Sequence, residues 1–124
     1  MPVVSATEAP TFRIPHAVFT GLASPSRGAA ETSVWRVTVE PGAPGAEHSV
    51  DREEVFVALS GRAVARLDGV EHRIGAGDAL IVPANRAFSL ANPHEEPFEA
   101  VVALPVGGRA RTGDAEPFTP PWAE

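Results

Sequence analysis

The sequence predicts an all-β domain that closes as a small barrel or as a two-sheet jelly roll. Short apolar runs alternate with polar residues, and no segment of ten or more residues shows a convincing helical period. Turn signals recur at intervals of about 8–12 residues, as in barrels and sandwiches. The 13 prolines and 11 glycines lie between the apolar runs, which is where such turns are needed. A chain of 124 residues is the usual size of one domain.

The strands are predicted from alternation and from the residues that stop them. Trp35, Val37 and Val39 share one face of the first clear strand. Asp68-Gly69 predicts a hairpin turn between two later strands. In order, the predicted strands cover residues 33–39, 48–50, 54–59, 62–67, 70–74, 79–82, 88–91 and 98–104.

The two ends of the chain carry weaker patterns. Residues 1–32 are predicted to form an N-terminal arm or edge strand, with a short strand broken at Pro15 and a loop over 21–30. Residues 33–105 form the barrel core. Residues 106–124 form a proline-rich arm whose Phe118 and Trp122 pack on the barrel or on a partner subunit.

Composition excludes several classes of chemistry. Without cysteine there is no disulfide, thiolate nucleophile or cysteine-based zinc site, and without lysine there is no lysine Schiff base. A net charge of −6 argues against nucleic acid and anionic membrane as partners. The chain has no apolar run of about 18 residues and no basic–apolar leader, which predicts a cytoplasmic protein. The arginine-only basic residues suggest a GC-rich bacterial genome.

One stretch, residues 41–61, carries the densest chemistry. His48 and an acidic run over 51–54 are followed directly by an apolar strand. On that strand Glu54, Phe56 and Ala58 share a face, so the carboxyl group of Glu54 is expected in apolar surroundings. Desolvation should raise its pKa, and a nearby protonated histidine would lower it again.

Two motifs in this sequence resemble those of the cupins. The first reads G, five residues, H-x-H, three or four residues, E, six residues, G; its counterparts here are Gly42, His48, Val50, Glu54 and Gly61. The second reads G, five residues, P-x-G, two residues, H, three residues, N; its counterparts are Gly77, Pro83, Asn85, Phe88 and Asn92. The resemblance covers about residues 34–104 and implies a cupin-type jelly-roll barrel.

The resemblance also implies a metal site, from which this chain departs. Cupins usually bind a divalent metal through two His and one Glu of the first motif and the His of the second. Here His48 and Glu54 remain, whereas Val50 and Phe88 replace the other two ligands, and neither side chain has a lone pair to give. The chain is therefore expected to hold no cofactor or only a weakly held divalent metal, bound by His48 and Glu54 with Glu47, His72 or water as substitutes.

The predicted site combines a proton-transfer pair with an apolar pocket. His48 and Glu54 are the candidate catalytic residues; the alternative is a remnant pair that only hydrogen-bonds and fills space. The candidate pocket residues are Trp35, Arg36, Val50, Phe56, Phe88 and Leu90. An apolar lining favours an apolar or aromatic ligand, and an arginine could grip a carboxylate.

Three functions remain open from the sequence. The first is a small-molecule-binding cupin with a degenerate metal site, which performs metal-independent isomerisation, cyclisation or elimination. The second is a metal-dependent dioxygenase or isomerase with a rebuilt ligand set. The third is a non-enzymatic ligand-binding or sensor module. The resemblance also implies a homodimer, because cupins commonly pair through sheets and exchanged terminal segments.

Overall fold

The computed structural model of the chain describes residues 2–124, and its regular structure is almost entirely β. Two single-turn 3-10 helices, Pro25–Arg27 and Pro121–Ala123, accompany the strands. The eleven strands are β1 (Thr11–Ile14), β2 (Ala17–Ala23), β3 (Thr32–Val39), β4 (Ser49–Val50), β5 (Glu54–Ser60), β6 (Arg62–Leu67), β7 (Val70–Gly75), β8 (Ala79–Val82), β9 (Phe88–Ala91), β10 (Phe98–Pro105) and β11 (Ala110–Arg111). Within residues 2–124, no helix has the length and apolar character needed to cross a membrane.

The strands form one large and two small antiparallel sheets. The large sheet has the order β1-β2-β3-β10-β5-β8, the second β7-β6-β9, and β11 pairs with β4. The six-stranded and three-stranded sheets share a single core. Its side chains include Trp35, Phe56, Ala65 and Phe88. The predicted all-β domain is thus confirmed, with the predicted core strands in place to within one or two residues at their ends.

The register of β5 determines which of its side chains face the interior. Glu54, Phe56 and Ala58 are buried, whereas Val57 and Leu59 are exposed. This is the alternation expected for a strand with one face on the core. Glu54 therefore enters the interior at the first residue of β5, opposite Val82 of β8.

The N-terminal region is more regular than the sequence indicated. The predicted break at Pro15 separates two strands, β1 and β2, that form a hairpin, where one short strand was predicted. The loop predicted over 21–30 begins only after Ala23, where β2 ends. The two-residue connection is Pro15-His16, and His16 has a φ of +71°. Pairing of β2 with β3 supplies the stabilisation that the weak local pattern of this segment lacks.

The C-terminal segment packs across its own barrel. The ring of Trp122 stacks on Phe19 with centroids 3.6 Å apart and planes 2° from parallel. The Ser33 hydroxyl donates to the Ala123 carbonyl at 3.1 Å, and the Ser26 hydroxyl donates to the Glu124 carbonyl at 2.6 Å. These contacts hold the tail against the large sheet, where it forms one wall of the interior cavity.

The outer face of the large sheet exposes several large apolar side chains. Val57 is 42%, Leu59 46% and Ile81 58% exposed. Val55 lies directly opposite Ile81 in the β5–β8 ladder, so Ile81 and Val57 point to the same side of the sheet. An apolar face of this kind is the surface that a partner subunit covers in many dimers.

The homodimer remains a prediction, and this face provides its test. Light scattering after gel filtration should give about twice the chain mass of 13.0 kDa, and the Val57→Glu/Leu59→Glu double variant should give the monomer. Val70→Glu changes an equally apolar residue, 58% exposed on the smaller sheet, and should stay dimeric. A monomeric wild-type protein would contradict the prediction.

Candidate functional site

Residues from all three sheets line an apolar cavity of about 470 Å³. Its volume lies in the range that holds a drug-sized organic molecule. Among the described residues that line it, only His16, His48 and Glu54 have ionisable side chains. Aromatic side chains supply much of the remaining wall, namely Phe19, Trp35, Phe56, Phe88, Phe118 and Trp122. The interior can therefore hold a mostly apolar molecule and offers it few polar anchors.

Glu54 is the buried polar group of this cavity. Its side chain is 5% exposed, and within residues 2–124 its Oε1 atom has no hydrogen-bond partner. Because burial removes water from the carboxylate, it raises the pKa of Glu54 from 4.5 to about 8. At pH 7 this group is therefore mainly a neutral carboxylic acid, which can donate a proton into the cavity.

His48 stands beside the same space in a defined orientation. Its backbone N–H donates to the Phe88 carbonyl at 2.9 Å and its carbonyl accepts from the Phe88 N–H at 2.8 Å. Its Nδ1 lies 2.9 Å from the carbonyl oxygen of Ala46. Since a carbonyl oxygen only accepts, Nδ1 carries the proton in the neutral ring and Nε2 keeps the free lone pair. His48 can therefore act as a proton acceptor through Nε2.

Val50 and Phe88 complete this part of the wall. Both are buried, and both line the cavity together with His48 and Glu54. The rings of His48 and Phe88 are 4.3 Å apart between centroids and inclined by 48°, and Phe56 meets Phe88 edge-on at 5.9 Å. The four side chains thus converge on one space, as the spacing of the two sequence motifs requires.

A comparison with protein families decides what this arrangement is. The sequence model of the cupin domain matches residues 35–104, which is more than half of the chain. This chain belongs to the cupin family. The match begins in β3 and ends in β10, so it includes both motifs and every residue of the site except those from the terminal segments.

Solved structures share this fold over most of the chain. A polyketide cyclase, RemF from Streptomyces resistomycificus, superposes with a TM-score of 0.81 at 17% identity, covering 94% of this chain and 87% of that one. An RmlC-like cupin from Shewanella frigidimarina gives 0.73 at 17% identity, with 85% and 90% covered. A sugar phosphate isomerase of the cupin superfamily from Silicibacter pomeroyi gives 0.68 at 21% identity, with 82% and 68% covered.

The donor set of this cupin does not fit the resident metal of its family. At the four ligand positions, only His48 and Glu54 offer lone pairs, and Val50 and Phe88 fill the other two positions with hydrocarbon. Within residues 2–124, no group of three or more His, Cys, Asp or Glu side chains could hold a metal ion. Resident zinc usually takes three or four protein ligands, whereas these positions supply two.

Three residues considered from the sequence lie away from the cavity. Arg36 is exposed on the outer face of β3, so its predicted pocket role is wrong: its strand parity is opposite to that of Trp35. His72 is exposed on β7, the edge strand of the three-stranded sheet, and does not line the cavity. Glu47 is exposed beside His48 and points to solvent. Neither His72 nor Glu47 can supply a substitute ligand.

The terminal segments contribute residues that sequence reasoning missed. His16, on the turn between β1 and β2, lines the cavity, as do Phe19, Phe118 and Trp122. The remaining predicted pocket residues, Trp35, Val50, Phe56, Phe88 and Leu90, lie in the wall as well. The two tail aromatics were recognised as needing a packing partner, but no local signal identified Phe12 and Phe19 of the N-terminal hairpin as the partners of Trp122.

Proposed function

We propose that this cupin binds a largely apolar, aromatic or polycyclic ketone in its cavity and catalyses metal-independent acid–base chemistry on it. The main support for this proposal comes from Glu54, whose carboxyl group is buried in an apolar cavity with an unpaired Oε1 and a pKa of about 8. Such a group is poised to exchange a proton near neutral pH, where acid–base catalysis is most effective.

The reaction class follows from pairing this acid with a base. His48 Nε2 removes a proton from the carbon next to the substrate carbonyl, while protonated Glu54 gives its proton to the carbonyl oxygen. The product of this step is an enol, with His48 now cationic and Glu54 anionic. In a substrate with a β,γ double bond this enol is a dienol, so return of the proton from His48 to the γ-carbon, and of the enol O–H proton to Glu54, completes an isomerisation and restores both groups.

The same enol also permits cyclisation. Its carbon can attack a second carbonyl of the same molecule, whose oxygen then takes the proton from His48, while Glu54 recovers the enol proton. A cyclase and an isomerase both occur among the proteins that share this fold, so the fold accommodates both outcomes. Among the described lining residues there is no arginine, and the chain has no lysine, which favours an uncharged ketone over a phosphorylated sugar.

A model ketone provides a direct test of this proposal. 2-Tetralone has acidic protons next to its carbonyl, and their exchange with deuterium in D₂O is followed by NMR. We expect the protein to accelerate this exchange in the presence of a chelator, and we expect Glu54→Gln to slow it by about a hundredfold or more. Glu53→Gln, a change at the exposed neighbouring carboxylate, serves as the matched control and should leave the rate unchanged.

The other outcomes assign different functions. Saturable binding of 2-tetralone with no accelerated exchange would overturn the catalytic proposal and leave a ligand-binding or sensor module. Exchange that disappears with chelator and returns with added metal would favour the metal-dependent alternative. Either result is visible in the same NMR experiment, because chemical-shift changes report binding independently of exchange.

A further inference from the structure

His16 occupies an unusual position in this fold. It lies in the two-residue connection between β1 and β2 and has a φ of +71°, a region that glycine adopts freely and other residues rarely adopt. Three non-glycine residues in the described chain have positive φ, namely His16, Asp68 and Asn85, and of these only His16 lines the cavity. Strained backbone of this kind often marks a functional position.

No polar contact within residues 2–124 accounts for the imidazole of His16. Within residues 2–124 its ring makes no hydrogen bond or ion pair, although its backbone carbonyl accepts from the Glu40 N–H at 2.9 Å. The side chain is exposed, at the rim of the cavity. The backbone contact would form equally well with glycine, so it does not account for an imidazole at this position.

The strand register places His16 far from Glu54. Phe56 is level with Val102 of β10 and Trp35 of β3, so Glu54, two residues earlier, is level with Leu104 and Ser33. His16 precedes Ala17, which is level with Val39. Six residues of β3 separate the two levels, or about 20 Å at about 3.3 Å per residue.

The cavity itself follows this direction. Trp35, Val37 and Val39 all line it, so it extends along the inner face of β3 from the level near Glu54 towards His16. A ligand that reaches both polar ends must therefore be elongated, with an apolar body between them. A single ring is too short for this distance.

We propose that His16 is a distal binding residue that hydrogen-bonds a polar group at the far end of an elongated, polycyclic substrate whose carbonyl lies at Glu54. This inference rests on the proposed function and adds to it the length and polarity of the substrate. The imidazole can donate to a carbonyl or accept from a phenolic hydroxyl group, so the distal group is a phenol or a ketone rather than hydrocarbon.

Two ketones that differ in one hydroxyl group test the proposal. The probes are 6-phenyl-2-tetralone and 6-(4-hydroxyphenyl)-2-tetralone, and quenching of Trp35 and Trp122, which both line the cavity, reports binding. We expect the hydroxyl group to tighten binding to the wild-type protein by about fivefold to tenfold. In His16→Gly this gain should disappear, while binding of the phenyl probe stays the same.

Folding stability distinguishes a binding role of His16 from a purely structural role. Because glycine relieves the positive φ, His16→Gly should unfold at higher urea concentration than the wild type while it loses the hydroxyl preference. Asn85→Gly is the control: its φ is +64° and its side chain does not line the cavity, so it should keep the full preference.

Three results would overturn the inference. If both probes bind and exchange their protons but the hydroxyl group gives no gain, or if the gain persists in His16→Gly, His16 does not hold the distal group and the proposed function stands. If neither probe binds or exchanges, the proposed function fails and this inference fails with it.

Discussion

Glu54→Gln is expected to remove a large part of the pH dependence of this protein's stability between pH 4.5 and pH 8. The folded pKa of Glu54 is about 8 against an ordinary 4.5, so the folded state holds this proton more tightly than the unfolded state does. The free energy of unfolding that comes from this group is fully present below pH 4.5 and is lost progressively as pH rises towards 8. A difference of about 3.5 pH units, at about 1.4 kcal/mol per unit, corresponds to roughly 5 kcal/mol.

Urea unfolding at a series of pH values measures this effect. The difference between the free energies of unfolding of Glu54→Gln and wild type should increase by roughly 5 kcal/mol from pH 4 to pH 9, with most of the change between the two pKa values. Other carboxylates titrate in both proteins and cancel in the difference. Glu53→Gln, in which an exposed carboxylate is replaced, should follow the wild-type curve, and a parallel pair of curves for Glu54→Gln would contradict the burial argument.

Restoring the two missing imidazoles should create a tight metal site. Val50 and Phe88 line the cavity with His48 and Glu54, and the backbone of Phe88 pairs directly with that of His48. The Val50→His/Phe88→His double variant therefore brings three imidazoles and one carboxylate to one space. We expect it to bind Ni²⁺ or Zn²⁺ at least about a thousandfold more tightly than wild type, about 4 kcal/mol.

Metal content after loading and gel filtration, together with competitive titration against a chelator, gives both affinities. The wild type should retain far less than one metal ion per chain, because two donors give little chelation. Val50→Ala/Phe88→Leu opens the same wall without adding a donor, and it should behave as wild type. Stoichiometric, chelator-resistant metal in the wild-type protein would contradict the metal-independent account and favour the metalloenzyme alternative.

The barrel core was predictable because each strand carries its own signal. Alternation along residues 54–60 fixes which side chains face the interior, and the dipeptide Asp68-Gly69 by itself predicts a hairpin turn. The N-terminal hairpin has no such signal: the turn Pro15-His16 lacks the glycine that its positive φ favours. Its stability comes from pairing with β3 and from the stack of Phe19 on Trp122, and the second of these contacts joins residues near opposite ends of the chain.

The residues of the site likewise fall into those that the sequence predicted and those that it did not. His48, Val50, Glu54 and Phe88 are spaced by two motifs, so the sequence alone brought them together. The exposed position of Arg36 also follows from parity, since Trp35 beside it is buried. His16 and Trp122 enter the cavity from opposite ends of the chain, and only long-range packing reveals that they share it.

The protonation state of Glu54 tests the account most directly. In protein labelled with ¹³C at the glutamate carboxyl carbons, the signal absent from Glu54→Gln identifies this residue, and its chemical shift is followed from pH 3 to pH 10. We expect a midpoint at about 8, with the neutral acid predominant at pH 7. A midpoint near the ordinary 4.5 would mean an ionised, hydrated carboxylate, and it would contradict the proposal that Glu54 serves as the proton donor of an apolar cavity.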